Sequence, residues 1–455
     1  MHQNSMYRSL LLPDLRVMLL ENDEAGLKEF CAALHPAVSA EVLEELDSRE
    51  AWRVLSNCDV RRQAEIFEFL DQSQQMMLVD VLDRKDLSKL IEAMSADERV
   101  DILSKLDPDR VDNLLPLMAH AERTDIRKLL SYPENSAGSI MTTDYASLTE
   151  ALTASEALEQ LRHQAPDSET IYYVYILDEG RRLRGIISLR ELILAKPNTP
   201  LGNIMNRDVI SVRVDDDQES VAHELARFDF IAIPVVDNQN RLVGIVTHDD
   251  VIDVLQEEAQ EDAYRAGAVQ PMQGSYLTLP VLTISWNRGI WLVALLGAAL
   301  MTAGVLNHYQ SVSTSFVWMI SFLPLVLASG GNAGTQSATL IIRAIAVEDL
   351  QRTDLYRLAK REFLTATILG SAIMLLAFLG SLMFLTWSEA AVLALTVFLV
   401  VVLGSINGLM FPLIFRRLGM DPALMSNPLI ASLSDLLGVL IYFNMAIWLL
   451  AERKA

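Results

Sequence analysis

Asp435 stands in the middle of the apolar run 428–451 and is the only acidic side chain well inside any apolar segment of the chain. A carboxylate at the centre of a membrane helix costs about 2.5–3.5 kcal/mol on insertion scales, so a functional role or a specific partner is the default expectation. No Lys, Arg or His lies within the apolar segments to pair with it. Asn427 and Ala431 precede it at successive i+4 positions, so one helical stripe presents an amide, a small gap and a carboxylate. The entry Ser426-Asn427-Pro428 reads as a helix start. A second polar stripe lies in the run SGGNAGTQS from Ser329 to Ser337, where Asn332 and Gln336 are one turn apart, with Thr339 on the same face. Tight packing through small residues accounts for the glycines equally well. A protonated Asp435 capping a kink is the structural alternative for the carboxylate. So sparse a set of oxygens suits a cation that keeps its water: sulfur and imidazole select soft metals, Ca²⁺ takes six to eight oxygens, and Mg²⁺ dehydrates reluctantly. One such carboxylate from each subunit of a symmetric dimer would set two negative charges around a hydrated Mg²⁺.

Five segments are expected to cross the bilayer, over 288–307, 315–342, 363–387, 390–415 and 428–451, since hydrocarbon about 30 Å thick needs roughly 20 apolar residues. The second is expected to be interrupted at Pro324 and at the glycine run. Basic residues in short loops set the orientation. Arg288, then Arg343, Arg352, Arg357, Lys360 and Arg361, then Arg416 and Arg417 all fall on one side, which is therefore cytoplasmic. The N-terminal part shares that side, and the C-terminus with Arg453 and Lys454 lies outside as a minor exception.

The chain has 455 residues, 51% hydrophobic and 21% charged, with a formal net charge of −22. That charge is unevenly placed: residues 1–280 carry 51 acidic against 27 basic side chains, a net −24. Such a domain repels nucleic acid and anionic headgroups and attracts cations. Cys31 and Cys58 are too few for a thiolate metal site and give no sign of a disulfide framework, which places the soluble part in a reducing compartment. Leu10–Leu20 is interrupted by Pro13, Asp14 and Arg16 and lacks a signal-peptide core.

Residues 1–130 show short apolar-periodic stretches with a helix-start signal about every dozen residues, such as Ser95-Ala96-Asp97-Glu98 and Asp107-Pro108-Asp109, and read as a stack of short helices. Val174–Ile193 then matches Ile233–Ile252 at a constant offset of 59, each copy reading strand, turn, strand, helix. This duplication resembles the cystathionine-β-synthase (CBS) domain pair, over residues 131–200 and 201–255. An acidic amphipathic stretch, Asp253–Val269, joins it to the membrane part. There Glu257, Glu258, Glu261 and Asp262 would crowd the acidic Val214–Ser220 and repel it unless divalent ions bridge them.

Over essentially its whole length the chain resembles the MgtE family of magnesium channels, most tellingly in SGGNAGTQSATLIIRA from Ser329 and GMDPALMSNPLIASLSD from Gly419. The resemblance implies a multidomain membrane protein: an all-α helical N domain (1–130), an α/β CBS-domain pair, a connecting plug helix and linker (256–280), and a transmembrane pore domain of five helices (281–455). It implies a homodimer in the bacterial cytoplasmic (inner) membrane, with a pore lined by the second and fifth membrane helices. Asp435 would hold the hydrated ion with Asn427 and the Ala431 carbonyl, and Asp421 would sit at the cytoplasmic mouth. Sensor ligands for cytosolic Mg²⁺ would be Asp97, Asp217, Glu219, Asp229, Asp250 and Asp262, with the Ala226 carbonyl. Adenine-nucleotide (ATP) binding falls on Thr247 and Asp250, while the first repeat has Ser188 and Glu191 where Thr-x-x-Asp is usual. Thr335 departs from the Asn often found there, which removes an amide. The implied activity is passive Mg²⁺ entry closed by cytosolic Mg²⁺, with no enzymatic turnover. An ion-coupled secondary transporter of divalent cations is the alternative, because a broken helix serves it too. A nucleotide-sensing scaffold without transport leaves Asp435 unexplained.

Overall fold

The computed structural model describes residues 4–272, 276, 279–347, 354–418 and 427–450. The chain divides into two compact units, Met1–Glu258 and Ala259–Ala455.

The first unit begins with ten short helices: α1 (Asn4–Glu21), α2 (Glu24–Ala33), α3 (Pro36–Leu43), α4 (Ser48–Leu55), α5 (Val60–Glu68), α6 (Gln72–Val81), α7 (Arg84–Ala93), α8 (Ala96–Ser104), α9 (Pro108–Leu114) and α10 (His120–Leu129). Their period is set by capping. The residue before each helix from α4 to α9 is Asp47, Asp59, Asp71, Asp83, Ser95 and Asp107, twelve apart throughout. The carboxylates of Asp47, Asp59, Asp83 and Asp107 accept from backbone N–H groups of the first turn, which would otherwise lack partners. A longer period of 24 overlies it: Glu44, Glu68 and Glu92 each accept from the backbone N–H of the residue 27 positions on, Asp71, Ser95 and Ala119. Stacked helix pairs thus tie to their neighbours, around one continuous apolar core from Leu15 to Ile126. Cys31 and Cys58 are joined as a disulfide with Cα atoms 5.8 Å apart, which corrects the reading that they give no sign of one and removes its support for a reducing compartment. The helical stack brings together residues 27 apart in sequence, a proximity that counting cysteines does not reveal.

Two small sheets follow. In the first, β1 (Tyr145–Thr149) pairs parallel with β2 (Thr170–Leu177), which pairs antiparallel with β3 (Leu183–Ser188); α11 (Ala154–Gln164) and α12 (Leu189–Leu194) complete it. In the second, β4 (Val212–Arg213), β5 (Ala232–Val236) and β6 (Leu242–Thr247) repeat that topology with α13 (Gln218–Arg227) and α14 (His248–Ala266). The duplication read from sequence is therefore structural. The second helix of the repeat and the acidic stretch expected to follow it are one uninterrupted helix, α14.

The second unit holds α15 (Val281–His308), the short α16 (Gln310–Ser315), α17 (Trp318–Val347), α18 (Asp354–Ser381), α19 (Trp387–Arg417) and α20 (Asn427–Leu450). Among the described residues four helices, α15, α18, α19 and α20, are long and apolar enough to cross a membrane. Of the five expected spans, the second corresponds to α17, whose 30 residues include the polar run that dilutes its hydropathy. Nor is α17 interrupted as expected. Its hydroxyls turn inward: Ser329, Thr335 and Thr339 donate to the carbonyls of Leu325, Gly331 and Thr335, four residues back. The glycines serve packing instead. A methyl at Gly404 would come 2.4 Å from the Gly330 carbonyl oxygen, and one at Gly408 would come 2.2 Å from that of Gly334. Paired small residues four apart on both helices let α17 and α19 touch backbone to backbone.

Candidate functional site

In the membrane unit the two polar stripes meet. A Cβ built at Gly331 of α17 would lie 3.5 Å from the Ala431 methyl and 3.6 Å from an Asp435 carboxylate oxygen on α20. Two turns along, the Thr339 hydroxyl lies 3.4 Å from the Asn427 side-chain oxygen. Asn427, Ala431 and Asp435 therefore follow α17 in the order their spacing predicts, and the missing side chain at Gly331 leaves room for the carboxylate. Asp435 forms no salt bridge among the described residues. Asn332 and Gln336 are on α17 but exposed, and neither side chain has a hydrogen-bond partner among the described residues. Thr335 closes onto Gly331 and Asn332 carbonyls at 3.0 and 3.1 Å, so the hydroxyl present there is spent within its own helix. The far end of α20 is fixed by Tyr309, which stacks on Phe443 at 5.1 Å and accepts from the Asn444 amide at 2.9 Å. Asp421 and Ser426 lie outside the described residues.

In the first unit the structure brings Asp97, from the start of α8, against Asp250 of α14. Each carboxyl group lies close enough to shift the titration of the other. One oxygen of Asp97 is fully buried without a partner. Burial and the Asp97 charge push Asp250 up to about 8, and burial raises Asp97 as well. Neighbouring Glu98 is pushed to about 8 and Glu68 to about 7, burial being the largest cause and the Asp97 charge contributing to both. The nearby buried guanidinium of Arg99 is committed elsewhere, to Glu122 and to the Met94 carbonyl at 2.8 Å. This is a pocket of carboxylates short of positive charge, where a bound cation would do the work of the protons that burial retains. Among the described residues no cluster of three or more His, Cys, Asp or Glu has metal-holding geometry. A cation here would keep several waters, as Mg²⁺ does.

The other predicted sensor residues stand apart from that pair. Asp217 caps α13, accepting from the Ser220 N–H at 3.3 Å. Glu219 on the first turn lies 3.6 Å from His223. Ala226 and Asp229 are exposed at the other end of α13, where the Ala226 carbonyl accepts from the Asp229 N–H and Asp229 takes a positive φ of 53°. Gln218 reaches across to Glu258 at 2.9 Å, tying α13 to α14. Asp262 lies beyond the boundary between the units, farther along α14. Glu68 was missed by sequence reading because nothing in its own neighbourhood marks it; the 24-residue period carries it to Ser95. Glu98 had a signal, its place beside Asp97 in the first turn of α8.

Residues 323–445 match the family model described as MgtE, divalent cation transporter, residues 34–135 that of the MgtE intracellular N domain, and residues 137–198 and 201–257 the CBS domain. The magnesium transporter MgtE of Thermus thermophilus is 42% identical over 325 residues, 70% of this chain and 71% of that protein. This chain belongs to the MgtE family. The MgtE of Enterococcus faecalis is 36% identical over 70% of each chain. MgtE proteins are transporters, not enzymes. Among solved structures, the cytosolic domain of an Mg²⁺ channel MgtE in complex with ATP is 39% identical with a TM-score of 0.51, covering 53% of this chain and 99% of that one. The soluble part of a magnesium transporter is 33% identical with a TM-score of 0.53, covering 55% and 99%.

In this MgtE the predicted nucleotide residues are helix caps. Ser188 and Glu191 form a reciprocal box at 2.8–3.2 Å, and the Thr247 hydroxyl donates to Asp250 at 2.5 Å. The aromatic residues beside them were not anticipated. Tyr173 is the register partner of Ser188, Phe230 lies two residues before Ala232, the β5 partner of Thr247, and their rings meet edge to face at 6.5 Å. An apolar platform thus lies between the two caps.

Proposed function

We propose that this chain is an Mg²⁺ channel that admits the ion passively and is closed by cytosolic Mg²⁺. The observation that carries the reading is the Asp435 carboxylate set against the glycine backbone of α17 without a counter-cation among the described residues. A lone carboxylate there is costly in lipid and useful beside a path for a hydrated divalent cation. Asn427, the Ala431 carbonyl, Asn332 and Gln336 are its proposed helpers, and the exposure of Asn332 and Gln336 fits a pore completed by a second subunit. Asp421 belongs to the cytoplasmic mouth on this reading. The protein acts as a homodimer in the bacterial cytoplasmic membrane, with residues 1–280 inside the cell and the C-terminus outside.

Closure rests on the first unit. Asp97 and Asp250 are the strongest sensor candidates, joined by Asp217, Glu219, the Ala226 carbonyl, Asp229 and, on α14, Asp262. Cytosolic Mg²⁺ binds the compact state more tightly than the open one. Several weak sites together supply the roughly 5.5 kcal/mol that turns a mostly open population into a mostly closed one. ATP fits the Tyr173–Phe230 platform, its base against the rings and its sugar toward Ser188 and Thr247. Asp250 would then serve both ligands, which couples nucleotide to Mg²⁺ sensitivity.

Patch recording with Mg²⁺ set independently on the two faces tests this. Unitary inward currents that vanish as cytosolic Mg²⁺ rises are expected. Saturating flux with no unitary steps would replace the channel by the coupled carrier.

A further inference from the structure

The helix α18 has two sharply different faces. Ala366 and Gly370 are buried, and a methyl at Gly370 would lie 3.1 Å from the Phe398 ring of α19. The opposite face is open for the whole helix: Leu364, Ile368 and Leu375 are 51%, 69% and 57% exposed. At 3.6 residues per turn, Arg357, Lys360 and Arg361 fall on that same face, one and two turns before Leu364. All three are exposed, and Tyr356 beside them is 76% exposed.

These cations do little for the helix itself. The N-terminal end of a helix is its positive pole, so basic side chains in the first two turns are unfavourably placed there. Asp354, 3.4 Å from Arg357, offsets one of them. Lys360 and Arg361 have no carboxylate partner among the described residues, and Glu362 projects to the other side of the helix. Placing positive charge on the cytoplasmic side would set orientation from any face. Its alignment with the lipid-facing stripe adds something more specific: a phosphate-level cluster directly above an apolar track of about 22 Å between Lys360 and Leu375.

We propose that this face of α18 binds an anionic diacyl phospholipid, its headgroup phosphate on Arg357, Lys360 and Arg361 and its chains along Leu364, Ile368 and Leu375. Arginine and lysine near a membrane surface each contribute about a fivefold preference for anionic lipid.

The test uses the full chain, purified and exchanged into mixtures of phosphatidylglycerol and phosphatidylcholine, with retained lipid counted by native mass spectrometry. Wild type should retain phosphatidylglycerol at least ~10-fold in preference. Arg357→Gln, Lys360→Gln and Arg361→Gln together should abolish the preference, whereas Arg357→Lys with Arg361→Lys should keep most of it. Should the triple variant fail to insert, Lys360→Gln alone should lose about fivefold. Preference that survives the triple variant, or that is unchanged in the single one, overturns the site. So does preference lost on changing Arg416 and Arg417 alone, or headgroup displacement by millimolar glycerol phosphate, which would mark a free-phosphate site.

Discussion

The two halves of this protein use carboxylates in opposite ways. In the helical stack many have a local occupation: Asp47, Asp59, Asp83 and Asp107 cap helices, and Glu44, Glu68 and Glu92 hold the next helix pair by its backbone. In the membrane unit Asp435 has no capping role and no cation partner among the described residues. The difference teaches where to look in the acidic half. A count of 51 acidic side chains before residue 281 says little about sensing, because so many are structural. Asp97 and Asp250 are the informative ones, since burial and the Asp97 charge hold Asp250 up to about 8 and one Asp97 oxygen is buried without a partner. What Asp97, Asp250 and Asp435 have in common is a carboxylate without a cation partner among the described residues.

The sharpest way to break that parallel is Asp435→Asn. The amide keeps the shape and removes the charge beside Gly331. Mg²⁺ flux into proteoliposomes is expected to fall at least ~10-fold, which corresponds to about 1.4 kcal/mol, while the protein stays folded. Near-normal flux would remove Asp435 from the ion path and leave the membrane carboxylate a structural one.

Packing around the stripe is next in size. Gly408→Ala drives a methyl into the Gly334 carbonyl at 2.2 Å, backbone against backbone, so a helix must shift. A loss of about 1–3 kcal/mol is expected, read as a lower thermal midpoint in detergent. Gly297→Ala on α15 meets nothing within 4 Å and should change little. Equal effects would mean that the glycine contact between α17 and α19 does not position the site.

Asp97→Asn with Asp250→Asn tests the cytoplasmic side of the parallel. Removing both charges should raise the Mg²⁺ concentration for protease protection several-fold while relieving the repulsion that Mg²⁺ otherwise neutralises. An unchanged titration would assign sensing to Asp217, Glu219 and Asp229 alone.

Much of this was legible in the sequence, for identifiable reasons. The 59-residue duplication and the twelve-residue helix starts are local patterns, and both became structure. The order Asn427, Ala431, Asp435 was readable because helical spacing alone puts them on one stripe. What failed were inferences from composition. Glycine, Asn and Gln in α17 suggested a broken helix, yet α17 runs unbroken from Trp318 to Val347, its glycines packed against α19. Neither the Cys31–Cys58 link nor the Glu68 contribution could be read, because each depends on how the stack superposes residues 27 apart.

The last test concerns pH and follows from the raised titration of Asp250 and Glu98. Without divalent ions, Asp250 and Glu98 sit at about 8 in the folded unit, against ordinary carboxylate values of 3.8 and 4.5. Between about pH 4 and pH 8 the folded state therefore holds more protons than the unfolded chain. Stability from these groups is complete below the unfolded values and is lost as pH rises through 8. A cation in the pocket does the proton's work, so it should flatten that decline. At pH 6 Mg²⁺ must first displace protons, and at pH 8.5 it meets carboxylates already bare. Melts of a cytoplasmic fragment ending at Ala266, the close of α14, should show the larger Mg²⁺ stabilisation at pH 8.5. The same increment at both values would mean that the ion binds elsewhere in the acidic half, where carboxylates are already ionised at pH 6, and the likeness between Asp97 and Asp435 would end there.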